Sequence, residues 1–136
     1  MPDRKTRSVQ KQIKAAGEEL LLIQEDIGKV LAGPIAPGDT AVVFRLKLIL
    51  NRLRAAEEKL AGLRARLPLE KGTIVSHALA EQYSKSIEMQ KNTVSSLLQC
   101  VRQNNAALLE AKHAALAAEA VLIGERITNH AKKYPS

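Results

Sequence analysis

Three stretches of heptad-spaced apolar residues, separated by two turn cassettes, constrain what this chain can fold into more than any other feature. In the first, Val9, Ile13, Ala16, Leu20, Ile23, Ile27 and Val30 alternate by four and three residues. Val42, Leu46, Ile49, Leu53, Ala56, Leu60, Leu63 and Leu67 repeat the pattern, and Ile87, Val94, Val101, Leu108, Ala115 and Leu122 recur every seven. Such spacing holds one apolar stripe of a helix against a partner helix. The expected class is therefore all-α, an elongated three-helix bundle or coiled coil.

The breakers set the boundaries. A single helical unit is expected over 1–136, with a first helix over 3–32. Gly33-Pro34-Ile35-Ala36-Pro37-Gly38 stops it, because proline lacks an amide donor and glycine admits unusual backbone angles. After a turn at 33–39, Asp39 or Thr40 can cap a second helix over 40–67. A turn at 68–73 follows, opened by Pro68 and closed by Thr73 as the next cap. No proline and only Gly124 interrupts 74–132, which reads as one long helix of about 80 Å at 1.5 Å per residue. A rod of that length must protrude or be covered by other chains. Gly17 and Gly28 weaken the first helix or permit a close approach at a packing face.

The apolar residues suit narrow helix–helix seams. Hydrophobic residues make up 46% of the chain but aromatics only 2%, with Phe44, Tyr83 and Tyr134 the only rings. Asn104 falls on the weaker second stripe of the third seam, where it either sets register or faces water. Glu25 with Lys29 and Glu81 with Lys85 are favourably oriented helical pairs.

Catalytic and metal chemistry find little support. His77, His113 and His130 are widely spaced, and Cys100 stands alone, so no zinc-ligand spacing exists. Cys100 sits beside the seam and reads as a packing residue; a lone cysteine also fits a reducing, intracellular compartment. Gly33 and Gly38 follow a helix rather than a strand, so they do not form a phosphate loop. Adjacent carboxylates such as Glu18-Glu19 diverge around a helix. No enzyme activity, cofactor, metal or small-molecule substrate is expected, nor a signal peptide or membrane span.

Charge is the remaining signal. The net charge is +7, which calls for an acidic partner to be considered. Arg4, Lys5, Arg7, Lys11 and Lys14 crowd the N-terminus against Asp3, as a flexible electrostatic arm or a solubilising helix start. Arg45, Arg52, Lys59 and Arg66 recur every seven residues, each just before a seam position. They are candidate contacts for an acidic partner, or long side chains laying their stems along a seam. The shortage of aromatics argues against single-stranded nucleic acid, which needs stacking platforms.

Ala16, Leu20, Ile23, Gln24 and Ile27, followed after a proline-containing linker by Val42, Val43, Leu46, Ile49 and Arg52, form a pattern that resembles the smallest subunit of the Ska (spindle and kinetochore-associated) complex. The break at 68–72 before a long helix is similar too, and the likeness spans roughly residues 9–105. It implies a structural coiled-coil subunit that wraps with sister subunits in a hetero-oligomer, including a dimer of complexes. That assembly couples kinetochores to spindle microtubules, which the subunit reaches through the complex. The expected assembly interface is Leu20, Ile23, Ile27, Leu46, Ile49, Leu53, Leu60, Leu63, Ile87, Val94, Val101 and Leu108, so that Leu53→Asp should disrupt assembly. Two other classes fit the same residues: a small helical export chaperone or stalk protein of a bacterial secretion system, and a basic polyanion-binding helical module.

Overall fold

In a computed structural model, which describes residues 3–133, the chain is an all-α bundle of four long helices. They are α1 (Arg4–Ala32), α2 (Thr40–Arg66), α3 (Ile74–Arg102) and α4 (Ala106–Lys133), with one 3-10 turn at Lys71–Thr73 before α3. Each spans 27 to 29 residues, about 40 Å at the usual helical rise. Neighbours in sequence are neighbours in space, α4 returns to α1, and α1 also meets α3 across the bundle.

The first three boundaries follow the local chemistry. The Asp3 side chain accepts the Thr6 amide at 2.8 Å and so caps α1, which ends at Gly33 before Pro34. Asp39 accepts the amides of Ala41 and Val42 and caps α2. Thr73, expected to cap the third helix, makes no such bond. Its hydroxyl instead lies 2.6 Å from the Pro68 carbonyl and 3.0 Å from that of Glu70, pinning the turn behind it.

The continuous helix expected over 74–132 is two helices. Gln103-Asn104-Asn105 turns the chain back: Asn104 adopts φ +52°, a left-handed conformation that asparagine tolerates better than most residues. The Asn105 side chain then accepts the Leu108 amide at 3.1 Å and caps α4. The turn is tied to the 33–39 loop by a 2.8 Å bond from the Gly38 amide to the Val101 carbonyl. Gly38 itself has φ +72°. Asn104 is exposed and sets a turn rather than a coiled-coil register.

This hairpin changes the meaning of the seams. Every expected assembly residue from Leu20 to Val101 is buried in the core of this one chain, and Leu108 is half-buried against it. The partner helices of each seam are therefore other helices of the same chain. Leu53→Asp would act first on the protein's own core. The turn also resets the helical phase: Leu109, Leu116, Ala120, Ile123 and Ile127 face inward, whereas Ala115 and Leu122 of the expected stripe are exposed. Tyr134 lies outside the described residues.

Inside the core, Gln90 is fully buried and donates to the Leu20 carbonyl at 3.1 Å and to Gln24 Oε1 at 3.0 Å. Gln24 donates in turn to the Ala120 carbonyl, so one amide pair ties α3 and α4 to α1. Tyr83 brings the hydroxyl end of its ring against Gly17, where a β-carbon would overlap the Tyr83 hydroxyl and stand 2.5 Å from Cζ. Burial, then the nearby Glu18 carboxylate, push the Tyr83 hydroxyl above its ordinary pKa. Gly28 is the opposite case, with open space where its β-carbon would be.

The two glycines predict opposite signs. Gly17→Ala should lower stability by about 1–3 kcal/mol through overpacking against Tyr83. Gly28→Ala should raise it by about 0.5–1 kcal/mol through helix propensity. Urea unfolding followed by circular dichroism measures both; equal effects would contradict the packing described.

Candidate functional site: the basic end of the bundle

The antiparallel pairing of α1 with α4 determines which termini meet. His113 Nε2 lies 2.6 Å from the Leu31 carbonyl, and Gln24 bonds to Ala120. Seven residues back along α1 thus correspond to seven forward along α4. Continued to the helix end, that correspondence sets Lys133 level with Lys11. On the α3 side, Gln10 Nε2 reaches the Gly72 carbonyl at 3.1 Å and Ser76 Oγ at 3.0 Å. One end of the bundle accordingly gathers the first turns of α1, the end of α2, the 67–73 loop and the last turn of α4.

Almost all the excess charge is there. Residues 1–14, 64–74 and 130–136 carry ten Lys or Arg against Asp3 and Glu70 alone. The remainder holds eleven Lys or Arg and twelve Asp or Glu, close to neutral. The N-terminal cations form ordered helix from Arg4 onward rather than a loose arm. Arg4, Lys5, Arg7, Lys11, Arg66 and Lys71 are all exposed.

The heptad stripe on α2 divides differently. Arg52 is drawn into the bundle's own surface, bonded to Asp26 and 3.3 Å from Glu19, both on α1. The Asp26 hydrogen bond raises the Arg52 pKa further above its ordinary value. Arg45 and Lys59 are exposed along the shaft, and Arg66 belongs to the basic end. The ion pairs Lys91–Glu57, Glu25–Lys29 and Glu81–Lys85 also lie along the shaft, the last two as the sequence spacing implies. The stripe is therefore an interhelical clamp at its centre and part of a cationic surface at its end.

Other candidates separate. The three histidines sit on different partners: His77 Nε2 is 3.1 Å from the Pro68 carbonyl, His113 meets Leu31, and His130 lies in the last turn of α4. Cys100 is buried. Among the described residues no group of three His, Cys, Asp or Glu converges to hold a metal ion. An open groove of about 790 Å³ between α1 and α4 is lined in part by Gly28, Ala32, Ala117, Ala120 and Gly124. Small residues leave that space; the Gln24 amide on its wall already donates to the Ala120 carbonyl.

What sequence reasoning missed was convergence. Lys132 and Lys133 are unremarkable in sequence and join the N-terminal cluster only because the chain turns at 103–105, while Arg64 and Lys71 reach it through the α1–α2 hairpin. A signal was available in Asn104-Asn105, a left-handed turn residue followed by a helix cap, but it lacks the glycine or proline that usually marks a break. Comparison with protein-family models, with curated proteins and with solved structures gave no match.

The end also carries an internal reporter. Partial burial, then the cations of Arg126 and Lys133, hold the His130 imidazole below its ordinary pKa of 6.5. Salt weakens the charge contribution but not the burial. An NMR titration of His130 should give a value below 6.5 at low salt that moves part of the way up as salt is added. A value that ignores salt would show the local field to be weak.

Proposed function

We propose that this protein is a docking module: a self-contained four-helix bundle that works by binding an acidic partner with its basic end. The observation that supports the reading is the segregation of charge. Ten cations against two acids at one end, beside a neutral shaft, create a local field far stronger than the same net charge spread evenly. The rigid bundle holds four chain segments at that end in fixed relation.

The scaffold role implied by the Ska resemblance assigns assembly to the heptad seams. With those seams closed inside the chain, such a role falls to outer faces, where Phe44 and Leu48 of α2 and Val121 and Leu122 of α4 are exposed. An export-chaperone role likewise relies on such outer faces. Charge segregation favours the polyanion reading over both.

The test uses a fluorescently labelled DNA duplex as a generic polyanion. Binding should weaken by a factor of roughly 10–100 between about 50 and 200 mM salt if about three phosphates are neutralised. The triple variant Arg7→Glu, Arg66→Glu, Lys71→Glu should abolish it. An isocharge control at the shaft and opposite end, Lys47→Glu, Arg54→Glu, Lys112→Glu, should retain most of it. Equal losses in the two triples would refute a localised site.

A further inference from the structure

The basic end is not purely polar. Leu69 in the α2–α3 connection and Ile74 and Val75 at the start of α3 are three exposed bulky aliphatic side chains, at 90%, 61% and 57% of their free surface. They are the most sequence-concentrated exposed hydrophobics of the chain, placed within nine residues of Arg66 and flanking Lys71. The loop that carries Leu69 and leads into Ile74 and Val75 is held firmly. Thr73 is fully buried and bonded to Pro68 and Glu70, and Gln10 clasps Gly72 from α1. Their exposure is thus a consequence of a pinned turn. Leu67, Thr73, Ser76 and Leu79 are the residues of this stretch that turn inward and are buried.

We propose that the acidic partner of this end is an anionic lipid bilayer. Leu69, Ile74 and Val75 enter the interfacial zone while Arg4, Arg7, Arg66 and Lys71 meet lipid phosphates and carboxylates. This rests on the reading of the basic end as the binding surface and adds the chemistry of what it binds. Charge complementarity alone would accept a nucleic acid or an acidic peptide. Aliphatic side chains standing among cations distinguish the bilayer, which offers negative charge and an apolar layer within a few ångströms of each other. A duplex offers scattered thymine methyls but no apolar layer to take up Leu69, Ile74 and Val75 together, and no aromatic ring stands among residues 67–75 to stack on bases. Geometry agrees: the helices end here, so the bundle would stand on the membrane by its end. Attachment is peripheral, since among the described residues no helix is long and apolar enough to cross a membrane.

Two forces should then act together. Each cation near an anionic surface contributes roughly fivefold in partitioning, lost as salt rises. Insertion of the aliphatic groups contributes a part that salt leaves intact. The experiment is sedimentation of the full chain with vesicles of phosphatidylcholine containing roughly 30% phosphatidylserine, with pure phosphatidylcholine as control. We expect binding to the anionic vesicles alone. Leu69→Ser with Ile74→Ser should weaken it about tenfold. Both positions are exposed, so circular dichroism should show the fold unchanged, and the same variant should bind the labelled duplex as the parent does.

The outcomes separate the two claims. Duplex binding without vesicle binding, or vesicle binding indifferent to the serine substitutions, overturns the bilayer assignment and leaves the docking-module reading in place. Binding to neither overturns both. Salt-sensitive vesicle binding that falls with the serine pair and vanishes with Arg7→Glu, Arg66→Glu, Lys71→Glu upholds both.

Discussion

The three-residue turn at Gln103-Asn104-Asn105 is the constraint on which the rest of this structure depends. One left-handed asparagine, one side-chain cap and one backbone bond to Gly38 convert a potential 60-residue rod into a hairpin. A continuous helix would carry Lys133 about 90 Å from Lys71 at 1.5 Å per residue. It would also leave the inner faces of α1 and α3 without the Leu109, Leu116, Ile123 and Ile127 stripe that covers them. The same turn therefore closes the core and gathers the charge. Neither property belongs to α4 alone, whose apolar stripe is thin and rich in alanine.

The core that results combines tight contacts with polar fasteners. Gly17 receives the ring of Tyr83, the only buried aromatic among the described residues, so a residue that usually weakens a helix here admits the largest fully buried side chain. Gln24 and Gln90 bond to carbonyls of α4 and α1 from inside. A buried amide left without partners is costly, so these bonds favour the one register in which donors and carbonyls meet. Arg52 adds an outer clasp from α2 to Asp26 and Glu19 of α1. Being partly exposed, it secures orientation more than stability.

Function, on the reading advanced here, follows from the ends rather than the seams. Heptad stripes usually suggest that a chain waits for partners, and here they are consumed within the fold. The surface then differs from its average: a neutral shaft and one cationic end tipped with Leu69, Ile74 and Val75. An average charge of +7 conceals that arrangement.

The sequence by itself determined the class, the first two helices and their inward faces. Those depend on local causes: heptad periodicity, the Gly-Pro cassette after Ala32, the Asp39 cap and Pro68 after Leu67. It also showed the i to i+4 ion pairs, which need only one helix. It did not reveal the break at Asn104, because asparagine is common inside helices and the apolar repeat runs past it from Val101 to Leu108 without a gap. Nor did it show that Arg52 would turn to α1, or that Lys71 and Lys133 would join Arg4 and Arg7. Those are decisions of tertiary structure, made because an antiparallel bundle fixes which helix ends meet. Charges remote along the chain become one surface only when packing selects that topology.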